Sequence, residues 1–227
     1  MLQRQPDGVA ANSAMAWQYW HKVILELSSE PAADIFKSRE YAEKAQSYAV
    51  AVGVAYSPDT ILAQLDILER KYETAIAHAE RALERSPADG ATTALAGWVK
   101  VCDGQPEEGV KLMRLAMRTE PDYPQWIPMS LLTGLMMLES FDEAKEVANG
   151  LLASRIESAQ AHSAAYRALA IMAYHEGNTD GARAYVGKVL ELEPKQTVAG
   201  LRRAMNLKDR AYVERDLKAL AHSGMPE

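Results

Sequence analysis

The sequence predicts an all-α protein built from repeated pairs of antiparallel helices. The first observation is an internal period, because a small residue recurs at steps of 34, 35 and 38 positions. The four anchors of this period are Ala75, Gly109, Ala144 and Ala182. The second observation is composition, since 48% of the residues are hydrophobic and only 7% are aromatic, which suits closely packed helices. Repeats of this length are typical of helical solenoids.

Other residues recur in phase with the anchors. Small or apolar residues lie twelve positions before and seven after each anchor, and proline lies twelve after three of the four. These residues are Ala63, Gly97, Leu132 and Ala170; Ala82, Ala116, Leu151 and Val189; and Pro87, Pro121, Ile156 and Pro194. Small residues are needed where two helices approach closely. Proline ends a helix because it lacks an N–H and restricts the residue before it.

This spacing resembles the tetratricopeptide repeat (TPR), a helix–turn–helix unit of about 34 residues. The resemblance covers most of the chain. It implies a right-handed superhelical solenoid of about twelve helices, with a role in binding other proteins and no catalytic activity.

The N-terminal part is expected to lie outside the regular array. Residues 1–11 are polar and predict a disordered tail or a sequence added by cloning. Residues 12–55 predict a divergent helical hairpin, whose first helix is capped by Asn12 or Ser13. An apolar stripe on that helix is either the core of this hairpin or a docking surface for a preceding domain. The stripe consists of Trp17, Trp20, Ile24 and Leu27.

Four TPR-like repeats are predicted between residues 56 and 194. Their hairpins are expected at about 57–84, 89–119, 125–154 and 158–192. The first repeat has Asp59 and Asp66 where large residues are usual in a TPR, and the third has Ile156 in place of proline. The fourth is four residues too long, which predicts a first helix extended over about 157–176.

Residues 195–227 are predicted to form capping helices. Solenoids end in units with a polar outer face, and the charged second helix, with Asp209 as its N-cap, suits that role. The closing Leu220 and Gly224-Met225-Pro226-Glu227 resemble the end of the repeat region that follows the catalytic domain in some bacterial adenylate and guanylate cyclases. That resemblance implies an accessory region of a signalling protein, with the catalytic domain outside these residues and Met1 as an artificial start.

The first helix of each repeat is expected to face the concave side of the solenoid. The predicted peptide-binding groove consists of Gln64, Trp98, Trp126, Met129, Thr133, Met136, Met137, Arg167, Ile171 and Tyr174. The remaining concave positions are Ser57, Thr60, Ile67, Leu68, Ala91, Ala94, Val101, Cys102, Ala164 and His175. Methionine and aromatic side chains are adaptable contacts, so this groove suits an amphipathic helix. Its occupant is an external peptide, a second copy of the chain, or another helix of the same protein.

Composition and motifs argue against several other functions. The net charge of −6 argues against nucleic-acid binding, and no apolar run is long enough to cross a membrane. The single cysteine fits a reducing compartment, so a cytoplasmic location is expected. The five histidines lack metal-ligand spacing, and no nucleophile or phosphate-binding motif occurs. Neither a metal nor a cofactor is expected, and the partner is a protein or peptide of unknown identity or a second copy.

Overall fold

The computed structural model describes residues 8–25, 27–52, 58–156 and 158–227. Within these ranges the chain forms twelve helices and no strand, which confirms the all-α prediction. The helices are α1 (Val9–Ile24), α2 (Pro31–Val52), α3 (Asp59–Leu68), α4 (Tyr72–Arg85), α5 (Gly90–Asp103), α6 (Pro106–Thr119), α7 (Trp126–Met137), α8 (Phe141–Leu152), α9 (Ala159–His175), α10 (Thr179–Leu192), α11 (Val198–Ala204) and α12 (Arg210–His222).

Helices α3 to α10 form four successive hairpins whose first helices lie side by side. All four anchors are buried between the helices of these hairpins. The closest approach is visible at Gly97 of α5 and Gly109 of α6. A Cβ atom added to Gly97 would lie 2.7 Å from the carbonyl oxygen of Gly109, and one added to Gly109 would lie 2.6 Å from that of Gly97. Glycine therefore sets the distance between this pair of helices.

The turn inside each hairpin contains one residue with a positive φ. These residues are Arg70 (59°), Gly104 (90°), Glu139 (54°) and Gly177 (77°). A left-handed residue just after a helix is a common way to end it and reverse the chain. The same turn geometry thus recurs in all four hairpins, although two of them use a residue other than glycine.

The first helix begins earlier than expected. Helix α1 starts at Val9, with Gly8 in the N-cap position, and Asn12 lies inside the helix. The side chain of Asn12 donates to the carbonyl oxygen of Gly8 at 3.1 Å and is buried. The prediction that Asn12 or Ser13 caps the helix is therefore wrong. The prediction of a disordered tail is wrong for residues 8–11. Residues 1–7 lie outside the described ranges.

The fourth hairpin has the long first helix that its spacing predicts. Helix α9 has 17 residues and is capped by Ser158, whose side chain accepts a hydrogen bond from the N–H of Ala161. The predicted start, Glu157, lies outside the described ranges.

A buried ionic network replaces the usual large residues in the first repeat. Asp59 is fully buried and lies 2.7 Å from Nδ1 of His78, while Nε of Arg81 donates to it at 3.0 Å. Asp66 accepts from Arg39 of α2 at 2.7 Å. Buried carboxylates are tolerated only when they are paired in this way. The two aspartates therefore fasten α2 and α4 to α3.

The C-terminal strap, defined here as residues 205–227, folds back over the concave side of the array. Helix α12 packs against α9, and the N–H of Lys208 donates to the carbonyl oxygen of Cys102 at the end of α5 at 2.8 Å. The Lys208 Nζ also pairs with Asp103 at 2.7 Å, and Arg215 pairs with Glu139 after α7. The expected Asp209 cap is present, since its side chain accepts from the N–H of Tyr212.

The apolar face of the strap is buried, so α12 is more than a polar end cap. Its buried side chains include Leu207, Tyr212, Val213, Leu217, Leu220 and Met225. The final residues hold it in place, because Gly224 has a φ of 101° and the carbonyl oxygen of Pro226 accepts from the N–H of Val198 at 2.7 Å. The Gly-Met-Pro ending thus connects the end of the chain to the start of α11. No helix among the described residues combines the length and apolarity needed to cross a membrane.

Candidate ligand-binding cavity

A cavity of about 1040 Å³ lies between the concave face and the C-terminal strap. Its floor is formed by α3, α5, α7 and α9, one side by α1, and the other by residues from Leu201 to Leu220. Eight of the ten predicted groove residues line it: Gln64, Trp98, Trp126, Met129, Thr133, Met136, Arg167 and Ile171. The expectation that the first helix of each repeat faces the concave side therefore identifies most of the floor, while binding by these residues remains a prediction.

Two predicted groove residues, Met137 and Tyr174, do not line the cavity. Both lie at the ends of first helices, where the strap crosses the array. The ring of Tyr174 lies 5.8 Å from that of His222 in α12, and Met137 is half-buried against the core. The strap thus covers the end of the concave face that these positions would otherwise expose.

The remaining concave positions divide into two groups: Thr60, Ile67, Leu68, Ala91 and Ala164 line the cavity, and the others among the described residues pack against other parts of the protein. Ala94, Val101 and Cys102 are fully buried, and His175 stacks on Phe141 with ring centroids 6.3 Å apart. Burial raises the pKa of the Cys102 thiol well above its usual value. Ser57 lies outside the described ranges.

All four tryptophans of the chain line this one cavity. Trp17 and Trp20 come from α1 and meet edge to face with centroids 5.2 Å apart, while Trp98 and Trp126 come from the floor. Trp17 and Trp20 also pack on the core of the N-terminal hairpin, as one of the two interpretations of the stripe predicts, while docking of a preceding domain remains a prediction. Leu27 is 73% exposed, so the prediction that it belongs to that core is wrong.

Among the described residues that line the cavity, Arg167 is the only lysine or arginine. Its Nη1 donates to Oγ of Ser163 at 2.8 Å and to Oε2 of Glu193 at 3.4 Å. The same Glu193 oxygen accepts from Gln196 at 2.6 Å. Burial lowers the pKa of the Arg167 guanidinium, and the charge of Glu193 opposes this effect. A single cation therefore lies in a mainly apolar cavity.

The side of the cavity formed by the strap was not identified from the sequence. Leu207, Tyr212, Leu217 and Leu220 contribute to it. The spacing of apolar residues in this helix indicates an amphipathic face, but spacing alone does not say which surface that face covers. Burial raises the pKa of the Tyr212 phenol well above its usual value, and the neighbouring Asp216 adds to this effect.

The described part of the chain holds no group of three or more histidine, cysteine or acidic side chains placed to bind a metal ion. The described lining of the cavity offers a mainly apolar surface with four indole rings, one guanidinium and three carboxylates, those of Asp89, Glu193 and Asp216. These features suit an elongated, largely apolar ligand.

Comparison with known proteins identifies the fold but no family. The sequence matches no protein-family model and has no significant match among curated proteins. The structure is similar to that of PilW, a widely conserved type IV pilus biogenesis factor, with a TM-score of 0.67 and 15% identity over 95% of this chain and 90% of PilW. It is also similar to PilF of Pseudomonas aeruginosa, with a TM-score of 0.57 and 14% identity over 85% of this chain and 79% of PilF. These similarities show a TPR-like helical-repeat fold and give no support to the cyclase resemblance.

Proposed function

We propose that this protein is a non-catalytic interaction scaffold that binds a short apolar segment of a partner protein in the cavity. The observation that carries the proposal is the convergence of eight predicted groove residues and all four tryptophans on one cavity. Tryptophan is among the residues that contribute most to binding at protein interfaces, and methionine adapts to irregular surfaces.

The partner segment enters beside the strap and does not replace it. Six large strap side chains are buried, and burying each one contributes about 1.5–3 kcal/mol, or roughly 9–18 kcal/mol together as an upper range. A partner with micromolar affinity has only about 8 kcal/mol of binding free energy. Displacing the strap would therefore require replacing all of its contacts before any affinity remained.

A variant that obstructs the floor of the cavity tests the proposal. Ala164 is half-buried and lines the cavity, so Ala164→Trp places a large side chain on that floor without removing core contacts. Ala153 is exposed and lies outside the cavity, so Ala153→Trp is the matched control. Met136 is only 3% exposed, and Met136→Glu would place a charge in the core and confuse loss of binding with loss of folding.

Random twelve-residue peptides displayed on phage serve as the probe. We expect wild type and Ala153→Trp to select the same apolar peptides, and Ala164→Trp to bind none of them while its circular dichroism and melting temperature stay unchanged. Selection of the same peptides by a folded Ala164→Trp would refute the proposal.

A homodimer is the second candidate, and exposed side chains near the turn between α1 and α2 favour it. Leu27 and Phe36 are 73% and 70% exposed, which is unusual for large apolar residues. Sedimentation equilibrium of wild type and a Leu27→Ser, Phe36→Ser double variant tests this candidate, since a dimer that uses these residues would become a monomer.

An accessory role in a bacterial signalling protein remains a prediction from the last residues of the chain. The same Gly224, Met225 and Pro226 hold the strap on α11, which is a sufficient structural reason for their presence here. The role of PilW in pilus biogenesis is not transferred, because 15% identity supports similarity of fold alone.

A further inference from the structure

Arg167 uses only part of its hydrogen-bonding capacity. Its hydrogen bonds to other described residues all come from Nη1, to Ser163 and Glu193, and none comes from Nε or Nη2. A guanidinium carries five N–H donors in a planar fork that fits a carboxylate with two parallel hydrogen bonds. One edge of this fork is therefore available to a ligand in the cavity.

The acidic residues that line the cavity are already bound to donors. Glu193 accepts from Gln196 and Ser163 in addition to Arg167. The side chain of Asp89 accepts from the N–H of Thr92 at 2.7 Å, and that of Asp216 accepts from Arg215 at 3.2 Å. Each of these carboxylates thus accepts at least one hydrogen bond within the protein, and Asp216 is also paired with a guanidinium other than Arg167. The unused donors of Arg167 favour an anionic group at the α9 end of the cavity, although the protein as a whole is negatively charged.

From Arg167 the apolar floor continues across three neighbouring helices. Met129 of α7, Trp98 of α5 and Ile67 of α3 follow one another along it, and Trp17 and Trp20 of α1 border its far end. Neighbouring helices are about 8–10 Å apart, so the two steps from α9 to α5 span roughly 16–20 Å. The volume of about 1040 Å³ lies at the upper end of the roughly 300–1,000 Å³ found for small-ligand pockets. An elongated ligand fits this shape better than a compact one.

We propose that the cavity binds a small amphiphile that consists of an unbranched apolar chain with one terminal carboxylate. The carboxylate pairs with the Nε edge of Arg167, and the chain lies over Met129 and Trp98 towards α1. This site goes beyond the binding of a partner segment and does not depend on it, because the ligand is a small molecule recognised through its carboxylate. The two ligands would compete for the same cavity.

Three probes with the same alkyl chain and different head groups test the proposal: dodecanoate, dodecanol and dodecyltrimethylammonium, each below its micellar concentration. Intrinsic fluorescence reports occupancy directly, because every tryptophan lines the cavity. We expect dodecanoate to bind wild type at least about tenfold more tightly than either other probe, as a charge-assisted bidentate pair does. Equal affinities would show apolar binding alone and overturn the proposal.

Two variants assign the preference to Arg167. Arg167→Gln should lose the tenfold preference for dodecanoate and keep its affinity for dodecanol, whereas Glu193→Gln should increase the preference because a competing negative charge is removed. If the pair matters only for folding, both variants would weaken all probes alike, and the proposal would fail. Because Glu193→Gln retains the guanidinium, its result decides the question even if Arg167→Gln does not fold.

Ala164→Trp places an indole one helical turn from Arg167 and should bind dodecanoate at least about tenfold more weakly than wild type, whereas Ala153→Trp should behave as wild type. If the protein bound dodecanoate tightly but bound no displayed peptide, the result would support the amphiphile site and refute the proposed partner segment. If it bound displayed peptides but showed no preference for dodecanoate, the result would support the partner segment and refute the amphiphile site.

Discussion

Gly109→Ala tests whether the anchors set the distance between paired helices. The added Cβ would lie 2.5 Å from Cγ2 of Val101, 2.6 Å from the carbonyl oxygen of Gly97 and 3.1 Å from the backbone nitrogen of Val101. The Val101 side chain is buried and the other two atoms belong to the backbone of α5, so none of them moves freely. Helix α6 must therefore shift away from α5.

The expected cost follows from two opposing effects. Overpacking a core typically costs about 1–3 kcal/mol, while alanine in a helix is about 1 kcal/mol more favourable than glycine. Because backbone atoms take part in the clash, we expect a net loss of about 1–2 kcal/mol. In a chain of this size that loss lowers the melting temperature by about 2–8 °C.

Gly187→Ala is the matched control. Gly187 lies inside α10, and a Cβ there would meet no atom within 4 Å. The same replacement should therefore stabilise the protein by about 0.5–1 kcal/mol. Urea unfolding followed by circular dichroism measures both variants. If Gly109→Ala were as stable as Gly187→Ala, the anchors would not be contact points, and the explanation of the period would be wrong.

Three further predictions concern the buried polar network, the strap and the cysteine. Asp59→Ala should cost about 1–3 kcal/mol in urea unfolding, because the partly exposed His78 and Arg81 lose the carboxylate that they contact. Glu143→Ala, in a solvent-exposed pair, should change stability by less than about 1 kcal/mol. Leu217→Ala should lower the free energy of unfolding by about 2–5 kcal/mol in the same measurement, whereas the same replacement on a solvent-exposed cap would change it very little. Cys102 should react slowly with iodoacetamide even at pH 8, since burial raises the thiol pKa and less thiolate forms at a given pH. The reaction rate should increase in Leu217→Ala. Rapid reaction of Cys102 in the folded wild type would contradict the packing described.

The sequence predicts the fold best where one physical requirement, close contact between paired helices, recurs along the chain. Close helix contact admits only small side chains, so Ala75, Gly109, Ala144 and Ala182 mark equivalent places in four hairpins. The same register predicts which side of each first helix faces inward. Residues such as Trp98 in the middle of a first helix were placed correctly, because helical periodicity is a local property.

The remaining features depend on contacts between distant parts of the chain. The charged residues of α12 suggested an outward-facing cap, but Leu217 and its neighbours face the array, and the sequence does not say which surface will cover them. Asp59 looked like a departure from the repeat, because its partners His78 and Arg81 belong to the next helix. The sequence did not predict that α1 starts at Val9, because capping residues are weaker signals than the tertiary packing that buries Asn12.

The bond between Lys208 and Cys102 connects residues more than a hundred positions apart. In an open solenoid each unit touches only its neighbours, so units can melt separately and ends can fray. Here the strap joins the second, third and fourth hairpins through Cys102, Glu139 and Tyr174. We therefore expect these hairpins to unfold in one cooperative transition, so that their slowest amide protons exchange with the same free energy of opening.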